Sequence, residues 1–286
     1  MSSVKAEPTM LGVCKKEVLP HIVDKIAAKE PEAIFAEYPV LPTSYESGYQ
    51  KFSYGTFANA INGVAWWLLE NLGPGKDFPA LAYIGPNDIL VNAFLLGAVK
   101  AGYKTFLTSP RNSIRAQENL FTFAECKILV TTSPQPAQLQ PMITALSSMG
   151  IRILELTQKP HPHFPYWKTF EAARDEPFAV LHTSGTMELP KPIVWTHDYY
   201  ATSLLNPEPP AGFINLASLY VGVRIFNTLP YFHAAGVFFG LVNSVYNRSV
   251  AIYPIVGFPS VSLLIDGLKH TKGDIAILVP PYVIGD

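Results

Sequence analysis

The chain has 286 residues, 49% of them hydrophobic, and a formal net charge of −1. This is enough apolar material for one large or two modest globular domains, and the dispersed, nearly balanced charges exclude the basic surface typical of nucleic-acid and anionic-membrane binding. Two cysteines, Cys14 and Cys126, and the lack of a continuous apolar run in residues 1–20 favour a reducing compartment and no secretory signal, so the sequence predicts a cytoplasmic protein.

The first element that the pattern predicts is a helix over residues 56–72. Apolar side chains recur on one of its faces from Phe57 to Leu68, and the Gly73-Pro74 pair ends it. This apolar face predicts packing of the helix against a core.

Strands and helix-length segments then alternate over residues 81–157. Because parallel neighbouring strands need a long crossover, this alternation predicts a mainly parallel sheet. One crossover, residues 88–101, is predicted to be a helix that Asp88 caps and Gly102 ends. The four predicted strands are residues 81–84, 104–107, 128–131 and 151–154.

A predicted linker over residues 159–167 precedes a second α/β unit that begins after Asp175. His161 and His163 lie in this linker without further ligands at zinc-site spacing, so no metal site is predicted. The uncharged segment 225–247 is long enough to span a bilayer, but its polar side chains favour a buried core segment and no membrane partner. The further predictions are helices over 199–205 and 234–246 and strands over 249–253 and 275–279.

The most informative segment is the loop from Thr183 to Pro192, between two apolar runs that predict strands. Its hydroxyls, glycine and lysine supply the donors, the backbone room and the positive charge that a polyphosphate needs, and they predict ATP as the ligand. An ordinary turn has a similar composition and remains the alternative for the motif alone. A nucleotide-hydrolysing P-loop is disfavoured because Pro190 and Pro192 replace its second glycine and its Ser/Thr. A serine hydrolase is disfavoured because Ser184 has no G-x-S-x-G elbow around it.

This loop resembles the phosphate-binding signature of the adenylate-forming enzymes, T-S-G-T/S-T-G-x-P-K, at seven of nine positions. Residues 229–236, Leu-Pro-Tyr-Phe-His-Ala-Ala-Gly, are similar to that superfamily's L-P-x-F-H-x-x-G motif, and residues 95–102 to its L-K-A-G helix end. Residues 109–113 and 190–192 look closest to the fungal synthetase-like reductases that carry an adenylation module.

The resemblance implies the incomplete N-terminal part of an adenylation domain, within an α/β fold of mainly parallel sheets and flanking helices. A first α/β subdomain is expected at residues 1–175 and a second, truncated one at residues 176–286. The superfamily's later motifs have no counterpart before Asp286, so the chain is expected to be inactive in isolation. A noncatalytic remnant that keeps the scaffold is the alternative to a working ligase module.

The resemblance also implies a reaction and its residues. A carboxylic acid would be activated with ATP and Mg²⁺ as an acyl-adenylate, and the full-length protein would pass the acyl group to the phosphopantetheine thiol of a carrier protein and to a reductase. Lys191 and His233 are the implied catalytic residues, and Phe232, His233 and Gly236 would border the acid. The nucleotide is implied to contact Thr183, Ser184, Gly185, Thr186, Lys191 and His233.

Two positions depart from the signature, since Met187 stands where the superfamily has a hydroxyl residue and Glu188 where it has glycine. Losing one donor to a charged acceptor costs roughly 1.5–3 kcal/mol. A carboxylate about 4 Å from a phosphate charge costs on the order of 4 kcal/mol at an effective dielectric near 20, and about 1 kcal/mol if it is solvated. We therefore expect weakened triphosphate binding unless Glu188 turns outward.

Overall fold

The computed structural model describes residues 17–86, 88–157, 159, 161–183, 189–203, 219–255 and 260–278. The strands are β1 (Ile34–Pro39), β2 (Tyr49–Ser53), β3 (Ala80–Ile84), β4 (Lys104–Leu107), β5 (Ile128–Thr132), β6 (Arg152–Leu156), β7 (Pro177–His182), β8 (Pro192–Thr196), β9 (Arg224–Asn227), β10 (Val250–Ile252) and β11 (Ile275–Ile277). The helices are α1 (Leu19–Lys29), α2 (Tyr54–Leu72), α3 (Ile89–Ala101), α4 (Ile114–Phe123), α5 (Gln140–Ser148), α6 (Phe170–Ala173), α7 (His197–Ser203), α8 (Ala234–Val237), α9 (Asn243–Asn247) and α10 (Val261–Thr271).

A six-stranded sheet has the order β6-β5-β3-β4-β7-β8 and is parallel except for its antiparallel β7–β8 pair. The four strands predicted between residues 81 and 157 are confirmed as β3 to β6. The predicted crossover helix is α3: the Asp88 carboxylate accepts the N–H of Leu90 at 2.9 Å, and Gly102 ends the helix in the left-handed region at φ 87°. A side chain at that φ would be strained, which explains the glycine there.

A five-stranded sheet has the order β11-β9-β10-β1-β2, and β1 pairs in parallel with β10. The hairpin of β1 and β2 therefore belongs to the same sheet as β9, β10 and β11, which follow it by about two hundred residues in the sequence. Strands β7 and β8 belong to the other sheet. The boundary predicted between residues 175 and 176 does not separate the two sheets. Arg224 of β9 reinforces the arrangement through a two-pronged ion pair with buried Glu37 of β1, at 2.9 and 2.8 Å.

The two sheets and their helices form five layers. The largest core cluster lies between the sheets and is built from α1, α2, α3 and the segment from α8 to α9. Helices α4 and α5 cover the outer face of the six-stranded sheet, and Leu264 of α10 packs on the outer face of the other sheet. Because helices cover both faces of the six-stranded sheet, its inner strands β3 and β7 are nearly continuous apolar runs, as is typical of parallel strands.

The helix predicted over residues 234–246 is interrupted. A π-helical turn over Phe238–Val242 separates α8 from α9, and the Ser244 hydroxyl donates to the carbonyl of Phe239, five residues earlier, at 3.1 Å. The helix predicted over 199–205 is α7, and its last two predicted residues lie outside the described ones. None of the helices in the described ranges combines the length and hydropathy of a membrane-spanning helix.

Cys126 is a packing residue. Its thiol is buried against β3 and donates to the carbonyl of Ile128 at 3.2 Å. Burial raises the pKa of Cys126 to about 11, so the thiol stays protonated and unreactive near neutral pH. Cys14 lies outside the described residues.

Candidate functional site

The loop between β7 and β8, residues 183–191, is called the phosphate loop below. Its base is a closed hairpin, because the N–H of Thr183 donates to the carbonyl of Lys191 at 3.1 Å and the N–H of Lys191 donates to the Thr183 hydroxyl at 3.1 Å. Thr183 and Lys191 are both exposed there. Ser184, Gly185, Thr186, Met187 and Glu188 lie outside the described residues.

Helix α4 holds the returning side of the phosphate loop. The side-chain amide of Asn119 donates to the carbonyl of buried Pro190 at 3.1 Å. This contact fixes the backbone immediately before Lys191, although β8 is the edge strand of its sheet. Nothing in the sequence pattern marks Asn119, because only the fold brings residues this far apart in sequence into contact.

His182, the last residue of β7, braces the entering side of the phosphate loop. The N–H of Ser109 donates to its Nε2 at 3.2 Å, and its Nδ1 lies 2.8 Å from the carbonyl of Thr183. An N–H must donate and a carbonyl must accept, so the ring is the neutral tautomer with its proton on Nδ1. His182 therefore joins the turn after β4 to the first residue of the phosphate loop.

The turn after β4 is itself fixed by a buried polar network. The Thr108 hydroxyl donates to the Gln117 side chain at 2.8 Å, and the amide of that side chain donates to the carbonyl of Ser109 at 2.8 Å. All three residues are buried, so these bonds are costly to break. The network presents Ser109 to His182 at a fixed position, and the nearby Asn112 amide also approaches the His182 ring at 3.4 Å.

His233 lies at the start of α8, in the segment that follows β9. The chain turns after β9 where the Asn227 side chain accepts the N–H of Leu229 at 3.1 Å, and the carbonyl of His233 then accepts the N–H of Gly236 at 2.9 Å. The side chain is exposed, yet loss of part of its hydration lowers the pKa of His233, and the positive charge of nearby Arg111 lowers it further; His182 lies close by as well. His233, His182 and Arg111 are thus close enough to interact, and His233 is neutral near pH 7.

Phe232 and Gly236 shape the backbone and the apolar side of this segment. Phe232 is buried, and its ring centre lies 4.8 Å from that of His233. A Cβ atom at Gly236 would lie 1.9 Å from the carbonyl oxygen of Pro230, so only glycine allows α8 to fold back on the turn that carries Phe232 and His233.

Tyr231 connects residues 229–236 to the six-stranded sheet. Its hydroxyl donates to the carbonyl of Gly85 at 3.1 Å, directly after β3. The segment 229–236 therefore bridges the carboxyl ends of β9 and β3, which is where open α/β sheets bind their ligands. Within the described ranges, no group of three or more His, Cys, Asp or Glu side chains could hold a metal ion.

The sequence comparisons point to one family. The model of the AMP-binding enzymes matches residues 23–285. The chain is 33% identical to a carboxylic acid reductase of Neurospora crassa over 92% of its own length, and 31% identical to an isocyanide synthase-NRPS hybrid of Aspergillus fumigatus over 94%. It spans only 26% and 18% of the lengths of these two relatives.

A solved structure gives the same fold. The N-terminal domain of FACL13 from Mycobacterium tuberculosis superposes with a TM-score of 0.72 at 18% identity, over 94% of this chain and 64% of that one. This likeness agrees with the predicted fold class, a mixed α/β fold with two sheets and flanking helices.

Proposed function

The chain belongs to the AMP-binding enzyme family, and we propose that it supplies the phosphate- and carboxylate-binding part of a site that activates a carboxylic acid with ATP. The observation that carries the proposal is the convergence of the phosphate loop, braced by His182, with His233 from the other sheet. Membership of an adenylate-forming family supports acyl-adenylate formation as the reaction.

In this reaction a carboxylate oxygen of the acid attacks the α-phosphorus of ATP. An oxygen–phosphorus bond forms, the bond from the α-phosphorus to the bridging oxygen breaks, and pyrophosphate leaves with that electron pair. The chain's part is to hold charge and geometry: Thr183 and Lys191 would hold the β- and γ-phosphates, with Ser184, Gly185 and Thr186 of the same loop. Mg²⁺ would spread the phosphate charge, bound chiefly through the phosphates themselves, and we assign no side chain to it.

His233 would act on the acid as a neutral hydrogen-bonding group. Its lowered pKa keeps the imidazole uncharged near neutral pH, so it can donate to the carboxylate without fixing it as an ion pair. Phe232 and the Gly236 turn would set the position of this ring. An ion pair would hold the carboxylate back from the phosphorus, whereas a neutral donor orients it.

In a longer polypeptide the acyl group would pass to the phosphopantetheine thiol of a carrier domain and then to a reductase. The names of the two relatives support such a setting, one being a carboxylic acid reductase and the other a hybrid that includes a nonribosomal peptide synthetase. Met187 and Glu188 favour a second candidate, a domain that keeps the scaffold but binds nucleotide too weakly for catalysis.

The test is binding of a stable acyl-adenylate mimic, a benzoyl sulfamate of adenosine, measured by calorimetry against adenosine and benzoate. We expect the mimic to bind more tightly than either part, and His233→Ala to weaken it by about tenfold, the loss of one hydrogen bond to a charged group. His270→Ala, a change on α10, is the matched control. Equal affinity for the mimic and for adenosine, or no effect of His233→Ala in a folded protein, would reject the acid-activating site.

A further inference from the structure

A cavity of about 240 Å³ lies at the carboxyl ends of β1 and β10, and none of its lining residues belongs to the phosphate loop or to residues 229–236. Its walls are largely apolar side chains: Tyr38, Val40, Leu41, Phe52 and Ile255. Apolar walls with a few polar groups are typical of small-molecule sites. The volume equals about eight water molecules at about 30 Å³ each, so a ligand with a single ring fits.

Among the described residues that line this cavity, Asp88 alone is charged. Its Oδ1 atom caps α3 by accepting the N–H of Leu90 at 2.9 Å. Within the part of the chain that the structure describes, no hydrogen bond to Oδ2 is found. Asp88 therefore places a partly buried carboxylate at the wall of an apolar cavity, and a charge in such surroundings favours a cation.

Tyr38 provides an aromatic wall of the cavity. Its ring stacks on that of Tyr253 at a centre-to-centre distance of 4.6 Å and meets the ring of Phe52 edge to face at 5.5 Å. The Tyr38 hydroxyl is buried beside the hydroxyl of Tyr253, so Tyr38 offers the cavity its ring rather than a polar atom. The aromatic faces also suit an ammonium group or a second ring.

We propose that this cavity binds a small arylalkyl ammonium ion, with its ring against Tyr38 and Phe52 and its ammonium group on Asp88. The charge of Asp88 rejects carboxylates, so the cavity is distinct from the acid-binding site. Failure of this proposal leaves the proposed acid activation untouched, because the two sites share no residue.

The pH dependence of binding follows from Asp88 and its surroundings. Burial raises the pKa of Asp88 to about 6. Four tyrosines are packed around it; burial raises the pKa of each, and the charge of Asp88 raises it further, so none of them ionises near neutral pH: Tyr38, Tyr83, Tyr231 and Tyr253. The carboxylate is therefore charged near pH 8 and largely neutral near pH 5, and ammonium affinity should fall over that interval.

The experiment titrates the chain with phenethylamine, and with 2-phenylethanol and phenylacetate as neutral and anionic probes of the same shape. Near pH 8 we expect phenethylamine to bind at least about tenfold more tightly than the alcohol, and phenylacetate not to bind. Asp88→Asn should remove the preference for the amine, since asparagine keeps the helix cap while losing the charge. Lowering the pH to near 5 should do the same in the unchanged chain.

A second variant, Leu41→Trp, places an indole in the mouth of the cavity and leaves Asp88 in place. We expect it to abolish binding of both the amine and the alcohol, while circular dichroism shows an unchanged fold. The proposal is overturned if phenethylamine shows no saturable binding, if the amine keeps its preference in Asp88→Asn, or if Leu41→Trp binds as before.

Discussion

The backbone N–H of Ser109 donates to Nε2 of His182 over 3.2 Å, and this bond fixes the entrance of the phosphate loop. The other ring nitrogen meets the carbonyl of Thr183, so one imidazole orients two backbone segments. We therefore assign His182 a positioning role, because its ring sets where Thr183 begins the loop.

Replacing His182 with phenylalanine should weaken ATP binding by about tenfold, because two hydrogen bonds of about 0.5–1.5 kcal/mol each are lost. The measurement is calorimetric titration with ATP. His270→Phe is the control, since the His270 ring bonds only within α10 and its immediate surroundings. Unchanged ATP affinity in a folded His182→Phe protein would show that the brace does not position the loop.

Gly236→Ala should destabilise the chain by about 3 kcal/mol, as expected for overpacking against backbone. The added Cβ would lie 1.9 Å from the Pro230 oxygen, and backbone cannot move aside as a side chain can. Gly273→Ala is the matched control, because its added Cβ would meet no heavy atom closer than 3.6 Å. Urea unfolding measures both, and equal losses in the two variants would contradict the close approach at Gly236.

Breaking the ion pair of Glu37 with Arg224 should also be costly. Glu37→Gln leaves Arg224 without its two-pronged partner at a site where the Glu37 side chain is 3% exposed. We expect a loss of about 3 kcal/mol in the free energy of unfolding, the low end for a buried pair because Arg224 is partly exposed. The exposed pair of Glu30 with Arg248 offers a matched control, Glu30→Gln, which should cost clearly less. A larger loss in the control would refute this ranking.

The stability of the chain should carry a pH signature from His197. Burial lowers the pKa of His197 to about 4, and the Tyr200 hydroxyl lies 2.7 Å from its Nδ1. The unfolded state therefore binds a proton below about pH 6.5 that the folded state binds only near pH 4, so the His197 contribution to stability falls as pH drops through this window, by at most about 1.4 kcal/mol per pH unit.

Asp88 changes the free energy of unfolding in the opposite direction as the pH falls. Its raised pKa makes the folded state bind a proton more readily than the unfolded state does between about pH 4 and pH 6. In the unchanged chain, the effects of His197 and Asp88 on the unfolding free energy therefore partly cancel over this pH range. The informative quantity is the difference in unfolding free energy between the unchanged chain and His197→Phe, measured from pH 7 to pH 4. That difference should shrink as the pH falls, and a constant difference would contradict a neutral buried His197.

Periodicity and cap residues were enough to predict the parallel strands and α3 from the sequence. Asp88 and Gly102 mark the ends of α3 by local chemistry alone, which is why both ends are correct. The β1–β2 hairpin was missed, because β1 gains its partner β10 only through contacts across more than two hundred residues. The π-helical turn was missed for a related reason: the pattern of apolar residues does not reveal a hydrogen bond from Ser244 to Phe239.

The sequence predicts those parts of the candidate site that belong to a short motif, and it does not predict the other parts. The phosphate loop and residues 229–236 could be found from short signatures, and the structure brings His233 near His182. The roles of Asn119 and Gln117 cannot be recognised in the sequence. The local sequence around a helix amide is the same whether the amide faces solvent or donates to a distant carbonyl. Contacts of that kind are decided by packing rather than by local sequence.

The central claim, that residues 183–191 hold the triphosphate of ATP, is tested most directly by calorimetric titration of ATP and adenosine into three proteins. These are the unchanged chain, Lys191→Ala, and the double variant Met187→Thr with Glu188→Gly, which restores a donor and removes a like charge. We predict that the double variant gains at least about tenfold in ATP affinity, that Lys191→Ala loses affinity, and that adenosine binding changes in neither. Unchanged ATP affinity in both folded variants would contradict the claim.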